Sequence, residues 1–110
     1  MQVDELIELT RKSIKEFEKI EQRKWGIEGG MIELAKQVGD LAKYVMTKEK
    51  YYLSDRENNP NYQADNDRIA DELADIFFCL VRIADHYGID LEKALIKTRE
   101  DELKELNETI

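Results

Sequence analysis

Asp71-Glu72-Leu73-Ala74-Asp75 lies inside an apolar run that continues to Tyr87. Around it, Ile69, Leu73, Ile76, Phe77, Leu80, Ile83, Ala84 and Tyr87 recur in steps of three and four. That is the period of a helix with one buried stripe. Glu72 and Asp75 are three residues apart and so are neighbours on one face, beside the stripe and not opposite it. Carboxylates at the edge of an apolar face are costly to desolvate without compensation. A divalent cation is one compensation, since Mg²⁺ takes hard oxygen ligands and keeps several waters. A solvated acidic edge is the other reading, and spacing alone favours it.

Working outward, residues 66–87 read as the third of four helices, with Asp65 or Asn66 as N-cap and Gly88 as the stop. Asp90 then caps a fourth helix over about 91–107. Upstream, residues 3–22 are amphipathic, with Leu6, Leu9, Ile14, Phe17 and Ile20 apolar. Trp25-Gly26 and Gly29-Gly30 read as a break, with Trp25 covering a bundle end or, alternatively, stacking on a base. Residues 31–50 form the second helix. Its apolar side carries Met31, Leu34, Val38, Leu41 and Val45, and Glu33, Gln37, Asp40 and Tyr44 line a strip beside it. Gly39, inside that helix, marks either a close approach or simple tolerance. The polar stretch from Ser54 to Asn66 holds the single proline and reads as a crossover loop, with a lid as the alternative. No strand pattern competes. The expected fold is an all-α, four-helix bundle in one domain over 1–110, with two long antiparallel central helices.

Composition narrows the function. The chain has 110 residues, 38% of them charged, and a net charge of −8. Such an acid excess disfavours nucleic acid polymers and anionic membranes, but not nucleotides bridged by metal ions. No apolar run approaches the roughly 18–20 residues of a membrane span. The polar, acidic start, Met1-Gln2-Val3-Asp4-Glu5, is not that of a signal peptide. One cysteine, Cys79, sits in the apolar helix and is expected to pack in the core, and a reducing cytoplasm is the expected location. One histidine, His86, leaves no set for a di-iron or structural zinc site.

Side by side, the two central helices offer Gln37-x-x-Asp40, with Glu33 one turn earlier, and Glu72-x-x-Asp75, with Asp71 adjacent. Two such pairs on antiparallel helices converge on an oxygen-rich cleft suited to Mg²⁺ or Mn²⁺. Over about residues 25–103 the sequence resembles the MazG-like all-alpha nucleoside triphosphate pyrophosphohydrolases. Their mark is Glu-x-x-Glu on one helix and Glu-x-x-Asp on the next. The likeness is strongest in Asp71-Glu72-Leu73-Ala74-Asp75-Ile76 and in Tyr87-Gly88-Ile89-Asp90-Leu91 with Ala94-Leu95. In Leu34-Ala35-Lys36-Gln37-Val38-Gly39-Asp40-Leu41 the chain departs from the pattern, with Gln37 and Asp40 where two glutamates are expected.

The resemblance implies Mg²⁺-dependent hydrolysis of a nucleoside triphosphate to the monophosphate and pyrophosphate, by attack of water at the α-phosphorus. It implies Glu72, Asp75 and Asp40 as catalytic metal ligands, with Glu33 and Gln37 as possible additions. Lys97, Arg99, Lys36, Lys43 and Trp25 are the candidate substrate contacts. It also implies a homodimer or homotetramer, which agrees with a third helix that Phe77, Phe78, Leu80 and Val81 make apolar over much of its girth. Two alternatives share the scaffold: a helical interaction or nucleotide-binding protein whose catalysis has lapsed, and a phosphoribosyl-ATP pyrophosphohydrolase.

Overall fold

In the computed structural model, residues 2–21, 26–52, 60 and 65–109 are described. They form four helices and no strand: α1 (Val3–Glu21), α2 (Ile27–Lys48), α3 (Asn66–His86) and α4 (Leu91–Thr109). Of the crossover segment expected from Ser54 to Asn66 only Pro60, Asp65 and Asn66 are described, and Trp25 falls outside the described residues.

Local chemistry sets the helix ends. Asp65 caps α3 by accepting from the Arg68 backbone N–H at 2.9 Å, and Asp90 caps α4 by accepting from Lys93 N–H at 3.0 Å. At the other end of α3, Ile89 N–H bonds back to Ala84 O at 2.9 Å and Gly88 N–H to Asp85 O at 3.2 Å. This is a Schellman closure, and it needs a left-handed residue, which Gly88 supplies at φ 65°. The end of α2 has the same pair of bonds, Tyr51 N–H to Met46 O at 3.0 Å and Lys50 N–H to Thr47 O at 3.1 Å. There the left-handed position is filled by Lys50, at φ 61°. The glycine pair expected as a break lies instead inside the first turn of α2, and only Gly26 precedes the helix. Gly30 is buried there, and a methyl group at its Cα would meet Arg82 Cδ at 3.9 Å, an ordinary contact. Gly39 faces open space, so it marks tolerance and not a close approach.

The central element is α3. Gly30 of α2 lies against Arg82 near the end of α3. At the other end of the pair, the Arg68 guanidinium carbon sits 5.9 Å from the centroid of the Tyr44 ring. The two helices therefore run antiparallel. On another side α1 packs against α3, also antiparallel. Arg11 donates to Asp85 at 2.8–3.2 Å, and Phe17 meets Phe78 edge to face at 6.0 Å. Ile7 and Ile14 of α1 close on Val81, with Phe77, Phe78 and Leu91 packed around them. Cys79, as expected, is buried, along with Ala84.

This core is small. On the expected stripe of α3, Leu73, Leu80 and Tyr87 stay exposed, at 54%, 40% and 62%. The stripe is intact, but within one chain α1 and α2 cover only part of it. Met31, Val38 and Val45 are likewise exposed on α2. By helical register they lie on the side of α2 away from Glu33 and Asp40. Beyond Leu91, α4 stands largely apart, with Leu95, Ile96, Leu103 and Leu106 exposed. The radius of gyration is 17.6 Å, against about 13 Å for a compact chain of this length. Among the described residues no helix is long and apolar enough to cross a membrane.

Candidate functional site

Antiparallel pairing brings the two polar strips together. From α2 come Glu33, Gln37 and Asp40, all half-buried; from α3 come Glu72, half-buried, and Asp75, at the surface. Glu72 is the anomaly. Its Oε2 is buried and has no hydrogen-bond partner among the described residues. Its pKa is raised, first by burial and then by the negative charges of Asp40, Asp75 and Asp71, with Lys36 opposing. Asp75 is raised too, by the protein crowding its carboxyl and then by Asp71 and Glu33, again with Lys36 opposing. Although Asp75 is exposed as a residue, its carboxyl is thus less well solvated than a free one.

The other positions sort by what they touch. Gln37 Nε2 donates to Glu33 Oε1 at 2.8 Å, one turn back on the same helix. Asp40 pairs with Lys36 at 3.3 Å. Lys36 is therefore the cation of this group, its own pKa raised by that bond and by the charges of Asp40, Glu33 and Glu72. Lys43, also on α2, is half-buried. Lys97 and Arg99 pair within α4, with Asp101 at 2.7 Å and Glu102 at 3.3 Å. Their partners are on their own exposed helix, and the acids of α3 feel Lys36 instead.

Next to the acids opens a cleft of about 330 Å³, lined by α1, α2 and α3. Glu33, Gln37 and Asp75 belong to its wall, as do Phe17, Phe78 and Arg82. The Arg82 guanidinium carbon lies 5.0 Å from the centroid of the Phe78 ring. Phe17, Phe78 and Arg82 were not singled out as site residues from sequence. The one available signal was Arg82 itself, a lone cation in Cys79-Leu80-Val81-Arg82-Ile83. Cys79 also lines the cleft, but burial and the charge of Glu33 push its thiol pKa up.

The donor set fits a hard divalent cation in kind: carboxylate oxygens, one of them buried without a partner. Glu72, Asp75 and Asp40 would hold it, with Glu33 and Gln37 next in line. Among the described residues, however, no three Asp, Glu, His or Cys side chains gather closely enough to hold a metal ion. The helices place the donors, and rotation of the side chains would have to bring them together. No family model matches the chain, and no curated protein or solved structure is similar to it.

Proposed function

We propose that the protein is a Mg²⁺-dependent nucleoside triphosphate pyrophosphohydrolase with a MazG-like helical scaffold. The observation that carries this reading is Glu72, a carboxylate with a buried oxygen that has no partner among the described residues, in the field of three other acids. Such a group is a liability in a purely structural role, because like charges and burial both disfavour it. It is an asset where a cation is to be received. When bound, a divalent cation neutralises phosphate charge and lowers the pKa of its water.

In this reading Asp40, Glu72 and Asp75 hold the cation. Water adds to the α-phosphorus, the bond from that phosphorus to the bridging oxygen breaks, and pyrophosphate leaves. A carboxylate at the surface of the cleft suits the role of proton acceptor, and Asp75 has the access for it. The exposed apolar stripes of α2 and α3 are covered by a second copy, giving a homodimer or homotetramer. That would account for a chain more extended than its length requires.

The test is pyrophosphate release from ribo- and deoxyribonucleoside triphosphates with Mg²⁺, with Mn²⁺ and with chelator. Chelator-sensitive release that disappears in Glu72→Gln supports the reading. A folded protein that releases nothing with either metal overturns it. A second reading, a binding protein whose catalysis has lapsed, draws on Gln37. The resemblance expects a glutamate there, and the amide in its place is engaged with Glu33. Under that reading the wild type releases nothing, and Gln37→Glu is the reversion expected to restore release.

A further inference from the structure

Gln37 and Glu33 form part of the cleft wall, and the bond between them decides what that wall offers. With Gln37 Nε2 given to Glu33 Oε1 at 2.8 Å, the amide presents its carbonyl, and Glu33 presents lone pairs on both carboxylate oxygens. Gln37 keeps its second N–H, so the unmixed acceptor here is the Glu33 carboxylate. It is complementary to a ligand with two adjacent N–H donors. The cleft also offers flat apolar surface from Phe17 and Phe78, set at 82° to each other, and Phe17 is 49% exposed. Aromatic faces of this kind hold an unstacked base whose edge is then read by hydrogen bonds. The volume, about 330 Å³, is at the small end of ligand pockets, roughly 300–1,000 Å³.

We propose that this cleft is a guanine site. Glu33 accepts from the ring N1–H and the exocyclic 2-amino group, and Gln37 is the positioning residue that holds Glu33. Guanine has two donors side by side on its pairing edge. Adenine and cytosine set one amino group beside a ring acceptor, which a carboxylate repels. Uracil has a lone N–H between two carbonyls. Gln37 then has a reason to be an amide: a carboxylate there could not donate to Glu33. The inference deepens the pyrophosphohydrolase reading and rests on it for the phosphates. Asp75 is shared between the cleft and the acids, and Asp40 and Glu72 lie three residues further, about 4.5 Å along their antiparallel helices. A nucleotide with its base on Glu33 extends its phosphates in that direction.

The test is calorimetric binding of guanosine, inosine, adenosine and uridine to the full chain, with chelator present so that no metal contributes. Guanosine binds best. Inosine, which lacks only the 2-amino group, binds about tenfold more weakly, the value of one hydrogen bond to a charged group. Glu33→Gln lowers guanosine affinity at least tenfold and abolishes the preference over inosine, and circular dichroism checks that it is folded. If that variant does not fold, the wild-type series decides. Equal affinity for all four nucleosides overturns the proposal, as do no binding at millimolar concentration, unchanged affinity in a folded Glu33→Gln, and tighter binding of a simple guanidinium salt than of guanosine. The two readings fail separately. Equal pyrophosphate release from all triphosphates without nucleoside preference removes the guanine site alone. Guanosine preference without any release removes the hydrolase alone.

Discussion

Replacing Glu72 by Gln should make the metal-free protein more stable, although it removes the residue on which the proposed chemistry depends. The wild-type carboxylate has a buried oxygen with no partner among the described residues, and three acidic neighbours. A buried acceptor left unsatisfied costs about 1–3 kcal/mol. Glutamine keeps the shape and removes the charge, but it still needs partners for its amide, so only part of that cost is recovered. A gain of about 1 kcal/mol at neutral pH is expected, which for a domain of this size raises Tm by roughly 4–6 °C. The pH dependence has a definite sign. The folded state holds a proton on Glu72 and Asp75 more tightly than the unfolded chain does, since both pKa values are raised. Wild-type stability therefore falls as pH climbs from the ordinary carboxylate range through the raised folded values, and the penalty is absent below that range. Glu72→Gln flattens the fall. Mg²⁺ reverses the order: the wild type gains by mass action, about 2.7 kcal/mol at a hundred times its Kd, and the variant gains less. The assay is thermal unfolding by circular dichroism across pH, in chelator and in Mg²⁺. If Glu72→Gln melts lower than wild type in chelator at neutral pH, the carboxylate is well satisfied and the reasoning fails.

Three further outcomes are expected. Lys50→Gly should stabilise by about 1 kcal/mol and Gly88→Ala should destabilise by a similar amount, because both positions are left-handed and a side chain there costs about 1–2 kcal/mol; paired urea titrations measure both. Val81→Ala, at the contact of α1 with α3, should cost about 2 kcal/mol and shift the urea midpoint with little change in slope. Leu80→Glu, on the exposed apolar stripe, should lower the sedimentation coefficient without lowering helix content; an unchanged coefficient would mean that a second copy does not cover this stripe.

Much of the fold was legible because helix boundaries are local. Asp65, Gly88 and Asp90 act on backbone groups within four or five residues, so a sequence window contains the whole interaction. The glycine pair was misread for the opposite reason. Whether Gly29-Gly30 interrupts a helix depends on tertiary packing, and Gly30 lies against Arg82, fifty-two positions away in the chain. The exposure of Leu73, Leu80 and Tyr87 was also beyond reach. Periodicity tells which residues share a side of a helix, and says nothing of how many neighbours one chain supplies. Of the candidate site, spacing within helices set Glu72 beside Asp75 and Glu33, Gln37 and Asp40 on one strip, while their reading as metal ligands came from the resemblance. The cleft was not legible, because Phe17 meets Phe78 and Arg82 only when α1 folds back across α3. The bond from Gln37 to Glu33 fits helical spacing, but the sequence does not say which way an amide turns.

Because both α1 and α2 lean chiefly on α3, the order of the chain and the order of its assembly are at odds. A ribosome delivers two amphipathic helices before it delivers the one they share. Arg11 waits for Asp85, seventy-four residues later, which at about 5–20 residues per second is several seconds of synthesis. During that interval the apolar sides of α1 and α2 have no native surface to cover. A nascent chain halted before Asn66 should therefore be protease-sensitive and prone to capture by chaperones, and one extended past Tyr87 should not.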